Sequence, residues 1–219
     1  MDDKQGPWEY YLSLQDEFSV HTNWHRQHLV ENLMDLDGFI SSISGNLEKE
    51  KLDTNDFSIS LGFFQVEQPS RIRYCYLTFL FTIFERRVRA LLKITAELKP
   101  NISKGFSEYK GSFLDKTKAY IKDNLEIDIT SSNMWADINE LQKVRDCIIH
   151  CGGQVSESRD ALFLRQLFTT NKIDLNRYDY ILITDKYCHE LGKSMKIFIE
   201  EGLGQLYKVL VELEQKKSE

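Results

Sequence analysis

Three residues in the stretch RDCIIHCGG (145–153) combine types that can grip an oxyanion and move a proton: Arg145, Asp146 and His150. The guanidinium of Arg145 never loses its charge and offers a planar fork of donors to a phosphate or carboxylate. An imidazole is the side chain ordinarily able to exchange a proton near neutrality, so His150 suits acid or base duty. Asp146 lies one helical turn before His150, where a carboxylate could orient or polarise the ring.

The helix that must carry these groups is legible around them. Stepping about 100° per residue along 134–150 gathers Trp135, Gln142, Ile149, Ile138, Met134, Leu141, Ile148 and Val144 into an apolar arc. Arg145 falls near the middle of that arc, Asp146 and His150 at one edge, and Cys147 opposite it. A charge amid apolar neighbours is costly unless it meets a carboxylate, a phosphate or a wet cleft. Two readings follow. In one, Arg145 pairs with an acid on a neighbouring helix, Glu85 above all. In the other, Arg145 and His150 converge on a phosphate. A spacing of five sets those two side chains about 140° apart, which favours a site completed by a second copy of the helix in an isologous dimer.

The remaining elements are mostly helices. Residues 8 to about 50 carry one apolar stripe (Phe18, His25, Leu29, Leu36, Ile40, Ile43, Leu47) that predicts one long helix or two short ones. Phe57, Ile59, Leu61 and Phe63 alternate with small residues, a strand pattern. Pro69 and Ser70 open a strong helix over about 71–98, apolar nearly all round in CYLTFLFTIF and stopped by Lys99-Pro100. Further helices are expected over about 111–126, from Ser131 or Ser132 to Cys151 with a Gly152-Gly153 stop, and over about 157–169. A last helix runs from Thr184 or Asp185 to about Glu214, weakened in its middle by Gly202 and Gly204. Tyr178–Ile183 is a second strand candidate, able to pair with 57–63. The expected class is all-α in the main, with a short two-stranded β ribbon.

The chain of 219 residues suits a single domain, with 42% hydrophobic and 28% charged residues. No apolar run is long enough for a membrane span, and the acidic start MDDKQGPWEYY lacks the layout of a signal peptide. Four cysteines (75, 147, 151, 188) without framework spacing point to a reducing cytoplasm. Net charge is −6, but residues 1–60 hold 12 acids and 4 bases, leaving 22 acids and 24 bases beyond them. Arg71, Arg73, Arg86, Arg87, Arg89 and Lys93 cluster within one helix, so an acidic protein can still offer a basic face to a phosphate backbone. The bland reading of that cluster is a solvated helix face.

RDCIIHCGG resembles the signature of the HEPN superfamily (higher eukaryotes and prokaryotes nucleotide-binding domains). In its ribonuclease branch an Arg, a polar residue, three variable residues and a His end a core helix, and a glycine soon follows. Arg145, Asp146 and His150 match those places, and FLFTIFERR (79–87) with Glu85 is similar to the acid-bearing earlier helix of the superfamily. The resemblance covers about residues 71–215 and implies a four-helix-bundle core, with residues 1–70 as an N-terminal helical extension of one domain. It also implies a metal-independent RNA endonuclease, often dimeric and frequent in toxin–antitoxin and anti-phage systems.

RNA carries its own nucleophile, the 2′-hydroxyl. On this reading His150 handles the proton, Arg145 binds the scissile phosphate, Glu85 supports Arg145, and Arg86, Arg87 and Arg89 bind RNA. The expected product ends in a 2′,3′-cyclic phosphate. No cofactor is called for. The partners implied are RNA, a second copy through the Arg145–His150 helix, and an antitoxin or other regulatory protein. Two further readings stand beside it: a non-catalytic nucleotide- or RNA-binding module of the same type, and a helical interaction scaffold. His21, His25 and His28 fall close enough on the first helix to share a metal, but His25 lies on the core stripe and no fourth ligand is evident. Cys147, His150 and Cys151 with Cys188 and His189 match no standard zinc spacing. No Walker loop, GxGxxG, HExxH or GxSxG is present.

Overall fold

In a computed structural model, the described residues are 66–218 apart from 100, 103 and 133. The expected N-terminal helices, the strand over 57–63 and the three histidines at 21, 25 and 28 lie outside them. The described part is mainly helical with one short antiparallel ribbon. Its elements are α1 (Gln68–Leu98), α2 (Phe113–Leu125), α3 (Trp135–Cys151), α4 (Ala161–Thr169), β1 (Asp174–Leu175), β2 (Ile181–Leu182), α5 (Asp185–Ile197) and α6 (Leu203–Ser218). A π-helical turn, Phe198–Gly202, joins α5 to α6, at the glycine-weakened middle that the sequence marks. Among the described residues no helix is long and apolar enough to cross a membrane.

These residues divide into two compact units, 80–142 with 191–218 and 66–79 with 143–190. The first is built on aromatic packing. Phe84 is 1% exposed, and its ring meets Phe81 at 5.7 Å, Phe113 at 6.3 Å and Phe198 at 5.9 Å, the last two edge to face. Such tilted and T-shaped pairs align a positive ring edge with a negative ring face. Phe106 bridges Phe113 and Tyr120, extending the cluster along α2.

Helix α2 starts where Ser112 closes a capping box: its Oγ accepts from the Asp115 N–H while the Asp115 carboxylate accepts from the Ser112 N–H. Two donors that the helix start would leave unpaired are thereby satisfied. The helix ends at Glu126 in a left-handed conformation, φ 59°, its N–H bonded to the Lys122 carbonyl. Helix α1 gives way at Lys99, next to Pro100, because a residue before proline avoids helical angles. Lys99 Nζ then donates to the Asn124 carbonyl at the end of α2.

The second unit packs Val144, Cys147, Val155, Leu164, Leu167, Ile173, Ile181 and Ile183, each at most 5% exposed. Its ribbon pairs Asp174 with Leu182 and Leu175 with Ile181. The strand expected over 178–183 thus shrinks to two residues, and its partner among the described residues is Asp174–Leu175. The connecting turn is held by Asn176, whose side-chain oxygen accepts from the N–H groups of Tyr178 and Tyr180. This is the local competition by which asparagine favours turns over longer ladders.

Candidate active site

Helix α3 delivers the motif. It stops at Gly152 and Gly153, with φ of 60° and 90°, angles that side chains with a Cβ rarely adopt. The Gly153 N–H reaches back to the Cys147 carbonyl at 3.1 Å, and its own carbonyl accepts from the Ile181 N–H at 3.0 Å. Tyr74 of α1 closes over the same point: its hydroxyl donates to the Ile181 carbonyl, and a Cβ on Gly153 would strike the phenol ring. Ser70 fastens the strand further along, its Oγ accepting from the Ile183 N–H at 2.7 Å. The end of the motif helix is therefore anchored to the β ribbon and to α1 through a close approach at Gly153.

The buried side of α3 departs from the single apolar arc read from the sequence. In its first half Ile138 and Leu141 are fully buried, as expected. In the second half Cys147 is buried at 1% exposure while Ile149 is 47% exposed, the reverse of the expectation. Glu140, on the Cys147 side of the helix, is already buried at 6% exposure, so the buried side takes in more than the apolar arc. Arg145 accordingly sits at the margin of a buried side, with its side chain 25% exposed.

Asp146 is the hub of the local charges. Its Oδ1 accepts from Arg145 Nη1 at 2.9 Å, and its Oδ2 accepts from Arg159 Nη2 at 2.8 Å. At 13% side-chain exposure this carboxylate has lost most of its hydration, and two guanidiniums replace it. Both of its oxygens serve arginines, and among the described residues the His150 side chain makes no hydrogen bond or ion pair. His150 is solvent-exposed in the last turn of α3.

Arg159 is the residue that sequence reasoning missed. Its Nε also donates to Asp160 Oδ2 at 3.2 Å, so one guanidinium spans two carboxylates. A signal was present: Arg-Asp occurs at 145–146 and again at 159–160. The second pair lies in a loop, where helical periodicity does not apply.

The other candidates are described within their own unit. Glu85, Arg86, Arg87 and Arg89 belong to the first unit, whereas Arg145, Asp146 and His150 belong to the second. Glu85 accepts from Arg89 Nε at 3.1 Å and Nη2 at 2.5 Å, four residues along the same helix. The Arg89 guanidinium also lies over the rings of Phe113 and Phe106, 5.1 and 5.9 Å from their centroids, a cation–π arrangement. Arg87 is corrected as an RNA contact: at 2% exposure it faces the interior. Arg86 remains exposed.

The Cys147 thiol of the motif is not poised for chemistry. Burial pushes Cys147 up to about 12, the neighbouring Cys151 adding to the shift. Burial likewise raises Cys188 to about 12. A thiol held neutral is neither a nucleophile nor a ready metal ligand, and among the described residues no three His, Cys, Asp or Glu side chains form a metal-holding group.

What the arrangement can do chemically is limited and specific. Two guanidiniums share one poorly hydrated carboxylate, and an exposed imidazole lies one helical turn beyond it. Compared with known proteins, the chain matches no family model, no curated protein and no solved structure.

Proposed function

We propose that this chain is a metal-independent RNA endonuclease of the HEPN type, acting in the cytoplasm as a toxin or anti-phage effector. The observation that carries this reading is the Asp146 carboxylate, which holds Arg145 and Arg159 one turn before the exposed His150. Substrate-assisted cleavage needs positive donors on the phosphate and one group that exchanges a proton. His150 takes the proton of the 2′-hydroxyl as that oxygen attacks phosphorus. The bond from phosphorus to the 5′-oxygen breaks, and the same imidazole returns the proton to the leaving oxygen. Arg145 stabilises the charge on the non-bridging oxygens. The products are a 2′,3′-cyclic phosphate and a 5′-hydroxyl. A homodimer about α3 would bring two such helices together, and a regulatory protein would hold the activity in check.

Incubation of the purified protein with total RNA in excess chelator is the test. The nuclease reading expects cutting that persists in chelator and falls about 10²–10⁴-fold in His150→Ala, the usual worth of a positioned acid–base group. RNA retained without cutting identifies a binding module. Neither cutting nor retention identifies an interaction scaffold.

A further inference from the structure

Arg159 has an accessible guanidinium that is nevertheless held in place. Its side chain is 70% exposed, while its two carboxylate partners, Asp146 and Asp160, are 13% and 22% exposed. Its bonds use Nε and Nη2, and among the described residues Nη1 has no partner. Long side chains ordinarily lose rotamer freedom on binding, and a guanidinium fixed beforehand has less left to lose. The Asp146 bond also ties Arg159 to Arg145, so two forks of donors are set on opposite oxygens of one carboxylate. In sum the two arginines and two aspartates are neutral. Attraction of an anion therefore rests on directed N–H donors and on exchange of the more exposed carboxylate, Asp160, for phosphate.

From this we infer that Arg159 is a second RNA-phosphate contact of the site, binding the backbone beside the phosphate held by Arg145. Asp146 stays as the anchor of both guanidiniums, and Asp160 is the placeholder that the phosphate displaces. The inference rests on the RNA-directed reading of this site but not on cleavage. A purely structural Arg159 would only stitch the loop after α3 to the helix.

The experiment uses the full chain and a fluorescent 2′-O-methyl RNA oligonucleotide, which lacks the attacking hydroxyl and reports binding alone. Anisotropy titrations across a salt series compare the wild type with Arg159→Ala, Arg159→Lys, Asp160→Asn and, as a control, Arg165→Ala. Arg165 is an exposed arginine bonded to Asp179. Expected are an affinity loss of about tenfold in Arg159→Ala and a log–log salt slope shallower by about 0.7, the increment of one phosphate contact on a single strand. Arg159→Lys keeps the slope, Asp160→Asn binds as tightly as the wild type or tighter, and Arg165→Ala matches the wild type. An unchanged slope in Arg159→Ala, an equal loss in Arg165→Ala, or no binding by the wild type overturns the inference. If Arg159-dependent binding is found without any cutting of unmodified RNA, the nuclease proposal falls and this one stands. If His150-dependent cutting is found with Arg159→Ala indistinguishable in binding, the reverse holds.

Discussion

Asp146 and Arg159, thirteen positions apart, are joined by a 2.8 Å bond between Oδ2 and Nη2 that ties the loop after α3 back to the motif helix. The second residue of the motif therefore holds two guanidiniums at once.

Asp146→Asn keeps the side-chain volume but removes the charge that holds Arg145 and Arg159. Single-turnover cleavage should slow by about 10²-fold, the scale of losing one preorganised electrostatic contact to a transition state. An unchanged rate in Asp146→Asn would show that holding the two guanidiniums contributes nothing to cleavage.

The two glycines after α3 should differ in sensitivity. Both need positive φ, but a Cβ on Gly152 would meet nothing within 4 Å, whereas one on Gly153 would lie 2.8 Å from Cε2 and Cζ of Tyr74. Gly152→Ala should cost about 1–2 kcal/mol from the left-handed conformation alone. Gly153→Ala adds an overpacking cost of about 1–3 kcal/mol. Chemical denaturation of both variants measures the difference, and equal midpoints would show that Tyr74 yields without cost.

Alkaline pH should weaken the fold through its buried thiols. Cys147 and Cys188 titrate near 12 in the folded chain against 9.0 for an ordinary cysteine. The unfolded state thus releases their protons first. The stability they contribute is complete below about pH 9 and is lost as pH rises towards 12, by about 1.4 kcal/mol per pH unit for each thiol. Denaturation midpoints measured across that window should fall, and Cys147→Ser should fall less steeply. In the native protein at pH 8, iodoacetamide should modify exposed Cys75 well before Cys147 or Cys188. Rapid labelling of Cys147 would contradict its burial.

The sequence by itself determined the helices, because their signals are local. The apolar run of α1 ended by Pro100, the glycine stop of α3 and the glycine-marked break before α6 depend on neighbours within a turn or two. It also picked out Arg145, Asp146 and His150 as an unusual combination. Only the tertiary structure decided which way those residues face. The buried side of α3 takes in Glu140 and Cys147 and leaves out Ile149, which the spacing of apolar residues does not encode. Arg89 was absorbed by Glu85 and two phenylalanine rings, Arg87 by the interior, and Arg159 was recruited from a loop. Those outcomes turn on contacts between residues far apart in the chain, and a side chain's partners follow from packing rather than from spacing.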